Sequence, residues 1–523
     1  MRENPLKEVI LVLCLLMWLS LVVYLPWHWV LVLDDLPDIV NNSALRLSPI
    51  DVFLKNPFRF LTYLTYWFDL SLPIEPSKVL HITNIFLHCA VCFLFTIVLL
   101  RLRSQMEKAI LPLVVFLFMN SFMWSSVLYV SARSAILATA GCLITVHGLL
   151  GFLRDGKIRE FVEMSIGILV AIFSKESAVV LPFMLLPLRS FDRDKRFWKA
   201  WVPLFVFATG YAFFRLMHPV DLGEGAVGGY TPLQYLLTQV TIVPLYLLKF
   251  FFALHPGLEW DVQVVRDFWN VCFIVNAVFL ISLFVIFWKV TSGNIVARFF
   301  LGWIPLSLAV ESSIIPLGDL AFDHRFYMTG VGVTALMGVF FEPLAKSKMK
   351  ISWLLTFLLI LMIMSFFTYG YARSKRWKSV VGVWEEAVRS SPFSFRARYN
   401  LGHNLLEEGK VLKAFPHLNY AVKIEGRSPG ETAYALNARG LALLKMGRLD
   451  DAQNDFNGAL QVAPNFGDAM LHLGVTYFLE GEFAKALEIL QRAQELLPGD
   501  PKVAKALEKV RHSYDLLHSP GGR

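Results

Sequence analysis

The sequence predicts an all-α protein in two parts: a polytopic membrane helical bundle over 1–372, then a water-soluble helical solenoid over 373–523. Three observations predict it. Hydrophobic residues fill 56% of the 523 positions and charged residues only 17%, with a mean hydropathy of +0.54. An ordinary soluble domain is about a quarter charged, so lipid must solvate most of this chain. Apolar runs long enough to cross a bilayer, about 20 residues, recur until Tyr371. Beyond that point the pattern turns amphipathic and repeats with a fixed period.

The first run, 9–33, follows Arg2 and Lys7. It lacks a small-residue cleavage site and exceeds the roughly 7–15 residues of a signal-peptide core, so it reads as a retained span. Further runs lie near 79–100, 109–129, 132–152, 198–217, 270–290, 298–315, 326–342 and 351–371. Residues 161–188 are interrupted by Ser174-Lys175-Glu176-Ser177 and flanked by basic loops at 153–160 and 189–199. Basic loops stay cytoplasmic, so this segment is expected to go out and return as two short helices with Lys175 and Glu176 at the turn. Residues 233–254 are expected to form a re-entrant hairpin broken at Pro244, because a full crossing would turn the Lys-rich loop 346–350 outward.

About eleven crossings result, with the N-terminus cytoplasmic and the solenoid periplasmic or otherwise extracytoplasmic. That makes an integral protein of the cytoplasmic (inner) membrane, in contact with membrane lipids. The outward loops are then 34–78, 128–132, 174–177, 218–269 and 316–325, and a site is expected to assemble there.

A formal charge of +8 does not imply a nucleic-acid partner. The basic residues cluster in short stretches between apolar runs (101–103, 154–159, 189–199, 346–350), as topology signals do. The five cysteines all lie in apolar stretches, none after Cys272, which argues against a disulfide framework. Cys89 and Cys92 form a C-x-x-C inside a span and read as packing.

In the soluble part, Gly402, Gly440 and Gly474 are each followed seven residues later by Gly409, Gly447 and Gly481, and five further on by Ala414, Ala452 and Ala486. Ala387, Ala421, Ala459 and Ala493 keep the same register at intervals of 34, 38 and 34, and Pro464 and Pro498 end two units. A 34-residue helix-turn-helix repeat with small residues at helix contacts is the signature of the tetratricopeptide repeat, or TPR. Three full repeats follow a half-repeat at about 373–392, and 500–517 caps the array. Such arrays present a concave groove to peptides or proteins; a rigid lid is the alternative.

Three polar clusters interrupt the apolar pattern. Asp34 and Asp35 follow the first span directly. They read either as a polar cap, or as a general base for an acceptor hydroxyl or a ligand for a cation. His81, Asn84 and His88, at i, i+3 and i+7, share one helix face and are expected to line a polar cavity; a spacing of seven is loose for metal ligation. The third cluster runs from Glu311-Ser312-Ser313 through Asp319 to Asp323-His324-Arg325-Phe326-Tyr327. Arg325, Arg133 and Lys175 are outward cations suited to a phosphate, since a guanidinium offers a bidentate fork. Lys175 and Glu176 also suit an ion pair.

Asp34-Asp35 after the first span resembles the acidic first loop of the GT-C membrane glycosyltransferases. Within that class the chain resembles the transmembrane and TPR-repeat-containing O-mannosyltransferases and their bacterial relatives. The residues that carry this are Arg59-Phe60-Leu61-Thr62, 81–88, Arg133, Ser174-Lys175-Glu176, Gln239 through Tyr246 to Pro256-Gly257-Leu258, and the block 311–327. That block is similar to the family's E-S-S…P-L-x-D…E-H-R-x-Y. The resemblance covers nearly the whole chain. It departs where Asp323 stands for Glu, where an acid is missing around Ser134-Ala135, and in holding only three full repeats.

The resemblance implies transfer of a sugar, a mannose-like hexose, from a polyprenyl phosphate carrier to a protein Ser or Thr hydroxyl outside the cytoplasm, with inversion. Asp34 or Asp35 would be the base, and Arg133, Lys175 and Arg325 would hold the donor phosphate. Arg59, His81, Asn84, His88, Glu176, Asp319, His324 and Tyr327 would line the site. The residues name no certain cofactor, and the acids leave room for a divalent cation such as Mg or Mn. The TPR groove would present the protein acceptor. Two other readings compete: a non-catalytic TPR scaffold for envelope assembly, and a ligase or flippase handling a polyprenyl pyrophosphate.

Overall fold

The computed structural model describes residues 5–24, 29–46, 48–102, 110–192, 194–218, 230–252, 257–346, 350–424 and 428–518. Pro256, most of the Lys-rich loop and the tail from Ser519 lie outside them, as does the side chain of Asp34. Every regular element among the described residues is helical. The chain divides into two compact units, Met1–Val380 and Val381–Arg523.

In the first unit, five described helices are long and apolar enough to cross a membrane: Pro76–Arg101, Val130–Asp155, Phe197–Met217, Pro232–Phe252 and Val271–Val290. A sixth results if the bent pair around Asn120, turning through 51°, counts as one span. The other expected spans appear as Pro5–Tyr24, Ile158–Ser174, Ile295–Leu308, Tyr327–Lys346 and Lys350–Arg376, with short turns over 176–191. Arg133–Asp155 lies at the centre of the unit and is buried almost throughout, whereas Val271–Val290 buries no residue at all. A helix apolar on every side and uncovered by protein is one that lipid can cover.

Small residues set the tightest contact. A Cβ on Gly141 would stand 2.4 Å from the Ala171 nitrogen, and one on Gly148 2.5 Å from the Met164 nitrogen. Arg133–Asp155 and Ile158–Ser174 therefore touch backbone to backbone, which apolar helices in lipid achieve through glycine. This hairpin delivers Lys175 and Glu176 to one end of the bundle.

One expectation needs correction. Pro232–Phe252 runs unbroken through Pro244; one missing N–H does not end a helix whose remaining bonds are intact. The chain still doubles back. The Val265 N–H donates to Thr238 Oγ1 at 2.9 Å, and Lys249 Nζ stands 3.6 Å above the Trp260 ring. Residues 257–265 thus run back along the helix, which itself carries no break at Pro244.

In the second unit the helix pairs Phe395–Glu407 with Val411–Lys423, Pro429–Lys445 with Leu449–Val462, and Gly467–Leu479 with Phe483–Leu496 form three repeats, closed by Pro501–His518. Helix Val380–Ser390 stands in the place of the half-repeat, and residues 373–376 prolong the preceding helix. Ala414, Ala452 and Ala486 are fully buried at the pair contacts. Gly409, Gly447 and Gly481 take φ of 74°, 77° and 82° at the tight turns, a conformation costly for other residues.

Candidate functional site

The polar residues of the first unit fall into two groups, and helix ends explain the first. The last carbonyls of any helix lack intrahelical partners, and in an apolar bundle side chains must supply the donors. Helix Ser121–Leu128 ends at such carbonyls. Asn84 Nδ2 donates to the Val127 oxygen at 3.2 Å, and His81 Nε2 lies 3.0 Å from that of Leu128. His88 Nε2 lies 3.2 Å from the Phe118 oxygen, at the end of the helix before the bend, and its Nδ1 faces Tyr327 Oη at 2.5 Å. Asn120 caps the bend: its Oδ1 accepts from the Phe122 and Met123 N–H groups, and its Nδ2 donates to the Phe250 oxygen at 3.0 Å.

His81, Asn84, His88 and Tyr327 are all buried, so they do not line a polar cavity as expected. Their polar atoms are engaged at helix ends and with one another or with Arg133. Each histidine has both ring nitrogens engaged within the protein, which leaves neither available to a metal.

Arg133 belongs with them. Its guanidinium is fully buried and pairs with Asp69 at 2.7 Å. It also donates to Asn84 Oδ1, Thr65 Oγ1 and the Leu80 oxygen at 2.7, 3.1 and 2.8 Å, and lies 4.5 Å from the Tyr66 ring centroid. The expected phosphate role is not open to it. Nothing in the sequence pointed to Asp69, a lone acid in the aromatic stretch 66–69.

The second group gathers the outer-loop residues. Glu311 lies between two cations: Lys175 Nζ at 2.6 Å from one oxygen and Arg325 Nε at 3.9 Å from the other. Glu176 does the same, with Arg59 Nε at 2.9 Å and Arg215 Nε at 3.8 Å. The partly exposed Arg59 and Arg215 hold the Glu176 carboxyl below its ordinary range despite its burial. His324 feels the charges of Lys175, Arg325 and Arg59, and burial with those cations drives its pKa well below 6.5, so its imidazole is neutral. Asp319, half-buried, contributes charge felt by Arg325.

The returning helix braces this loop. Tyr235 Oη donates to the Glu311 oxygen at 2.6 Å, Gln239 Nε2 to that of Leu320 at 2.8 Å, and Tyr246 Oη to that of Phe322 at 3.1 Å.

Asp35 stands at the other end of this region. Leu33 holds φ of 49°, uncommon for a side chain of that size and a mark of a constrained turn. The turn aims the Asp35 carboxyl inward. One oxygen accepts from the Val32 N–H at 3.2 Å, the other from the Ser131 N–H and Oγ–H, both at 2.8 Å. Burial nevertheless raises its pKa to about 7. The Tyr66 hydroxyl donates to the Val130 oxygen at 2.9 Å, next to the Ser131 that holds Asp35. Among the described residues no group of three or more His, Cys, Asp and Glu side chains is arranged to hold a metal ion. The room left for a divalent cation thus finds no donor set there.

Comparison with known proteins places the repeats firmly. Residues 437–501 match the model of the tetratricopeptide repeat. The chain is 28% identical over 124 residues to the Protein CTR9 homolog of Arabidopsis thaliana, covering 24% of this chain and 11% of that protein; it thus spans about a tenth of that relative's length. Among solved structures, the MamA protein is similar over 26% of this chain and 71% of its own, at 19% identity and a TM-score of 0.23. The second TPR domain of human RPAP3, in complex with an HSP70 peptide, is similar over 22% of this chain and 92% of its own, at 20% identity and a TM-score of 0.20.

Proposed function

We propose that the chain is a membrane glycosyltransferase of GT-C type, moving a sugar from a polyprenyl phosphate to a protein hydroxyl on the outer side of the membrane. The observation that carries this reading is the pair of ion groups at the outer loops. Arg59 and Arg215 share Glu176, a surplus of +1, and Lys175 and Arg325 share Glu311, with the charge of Asp319 also acting on Arg325. Surplus positive charge in a half-buried setting favours an anion such as a lipid phosphate.

In this reading Lys175 and Glu311, which touch, stand on one side of the membrane, and the return of residues 257–265 along Pro232–Phe252 supports it.

In the proposed reaction the acceptor hydroxyl oxygen attacks the anomeric carbon as the bond from that carbon to the phosphate oxygen breaks. The hydroxyl proton passes to the acidic turn, and the departing phosphate keeps the electron pair beside Lys175 and Arg325. Asp35 accepts hydrogen bonds from Val32, Ser131 and Val130, so the acceptor hydroxyl displaces one of these donors to reach a carboxylate oxygen. Asp35 is shut from solvent, so the acceptor enters when the turn opens. No step is routed through a metal.

Transfer would be measured in nanodiscs with polyprenyl phosphate sugars and secreted proteins as acceptors. Asp35→Asn should lower the rate by roughly 10²–10⁴, the usual worth of a general base. Full transfer by a folded Asp35→Asn protein would remove Asp35 from this role.

A second reading is favoured by the repeats themselves. Phe395, Tyr399 and His403 stack in a ladder, with ring centroids 5.7 and 5.9 Å apart, and Tyr434 extends it towards Phe466. An aromatic surface of this kind suits a peptide, either the acceptor of the transfer reaction or a client of a scaffold without catalysis. Absence of transfer from every donor, together with peptide capture by this surface, would favour the scaffold.

A further inference from the structure

We propose that Arg373 and Trp377 are positioning residues for both halves of the candidate site, holding the acidic turn and the cationic loop in register through a single helical turn. The proposal rests on the transferase reading for its consequence, though not for its geometry.

Helix Lys350–Arg376 is apolar for most of its length and then buries an arginine: Arg373 is 2% exposed and Trp377 fully covered. A buried guanidinium is costly unless its donors are used. Here one of them is spent on the site. Arg373 Nη1 donates to Ser125 Oγ at 2.7 Å, and Ser125 Oγ donates to Asp323 Oδ2 at 2.7 Å. Trp260 Nε1 holds the other oxygen, Oδ1, at 2.8 Å. Both oxygens of Asp323 are thereby fixed, and the next two residues are His324 and Arg325.

On the other side, the Trp377 carbonyl accepts from the Val30 N–H at 2.9 Å. Two residues on, the Val32 N–H donates to Asp35. The Trp377 N–H closes onto the Arg373 carbonyl at 3.1 Å, and the Arg373 guanidinium lies 5.3 Å from the Trp377 ring centroid. An unbroken chain of contacts thus runs from Arg325 through Asp323, Ser125, Arg373 and Trp377 to the turn that bears Asp35. Arg373 donates to Ser125 and Trp377 accepts from Val30, so each acts on the candidate site through another residue.

A latch of this form predicts cross-effects that a local structural contact does not. Hydrogen–deuterium exchange would be measured on the full chain in nanodiscs for wild type, Arg373→Gln, Arg373→Lys and Ser125→Ala. Arg373→Gln should speed exchange both at 320–326 and at 30–36, by about tenfold, the factor that matches about 1.4 kcal/mol. Ser125→Ala, which cuts only the Asp323 side, should still loosen 30–36, and Arg373→Lys should recover part of the loss. Unchanged exchange at 30–36 in both Arg373→Gln and Ser125→Ala would overturn the latch, whatever the enzyme does.

Binding of a sugar-free polyprenyl monophosphate, followed by tryptophan fluorescence, separates the two ideas. If wild type binds it and Arg373→Gln binds about tenfold more weakly, the latch serves donor binding. If wild type binds none while the exchange cross-effect holds, the transferase reading fails and the latch survives. Equal binding by both proteins would overturn the positioning role.

Discussion

Asp35 illustrates how position converts a common residue into a specific tool. Hydrogen bonds from Val32, Ser131 and Val130 favour its ionised form, yet removal from water outweighs them and its pKa rises to about 7. A base works only when ionised, so the proposed transfer should climb with pH through about 7 and level off above it. A pH–rate profile checks this, and in Asp35→Asn the step near 7 should disappear with the activity.

Arg133 shows the opposite case. Its buried pair with Asp69 makes each partner indispensable to the other. Arg133→Gln or Asp69→Asn should each cost about 3–5 kcal/mol by stranding one charge, seen as a lowered thermal midpoint. The double variant should lose much less than the sum. The sequence marked Arg133 as an outward cation but offered no sign of Asp69, because the pairing is set by how helices pack. It also marked His81, Asn84 and His88 as sharing one face, yet could not say that the face meets helix ends instead of a cavity. Lys175, Glu176 and Arg325, expected in short polar loops, do gather in ion pairs, with Glu311 and Arg59 as partners.

At the scale of elements, breaks explain as much as helices do. The bend at Asn120 exposes the Phe118 carbonyl, which His88 and Trp124 Nε1 meet, and the end of the next helix exposes those of Val127 and Leu128, which Asn84 and His81 meet. Periodicity alone sees a continuous apolar run across 109–129, since hydropathy carries no record of where backbone groups find partners. Pro244 misled in the reverse sense: a proline suggested a break where the helix tolerates the loss of one bond.

The glycines were more informative as packing than as sequence. Gly148 lies against the Met164 backbone, so Gly148→Leu must push helix Ile158–Ser174 away, and with it Lys175 and Glu176 at its end. We expect this variant to lose donor binding along with 1–3 kcal/mol of stability, the usual cost of overpacking. Gly210, where an added Cβ would meet nothing within 4 Å, is the control: Gly210→Ala should leave both unchanged. Melting and polyprenyl phosphate binding, measured on the same preparations, decide it.

The whole molecule joins two kinds of stability. In the proposed reading the first unit keeps its polar atoms satisfied within lipid, while the second buries apolar surface one repeat at a time. That difference made the division legible in composition, and the repeat register fixed the helix pairs because each small residue recurs where two helices touch. It also gives the second unit a pH response of its own. His472 is half-buried beside Phe456, and its Nδ1 lies 2.9 Å from Asn437 Oδ1 on the neighbouring repeat. Burial, with the charges of Lys502 and Lys445, lowers its pKa from 6.5 to about 4. A folded-state value below the unfolded one means that the unfolded chain takes up the proton first. The stabilisation is therefore complete above about 6.5, declines as pH falls below that value, and is exhausted near 4. His417, lowered in the same direction, adds to the trend. Residues 381–523, expressed alone, should melt at a lower temperature at pH 5 than at pH 7.5. In His472→Gln, which keeps a neutral hydrogen-bonding group at this position, the gap should narrow. An equal gap in both proteins would assign the pH response to other groups of the repeat array.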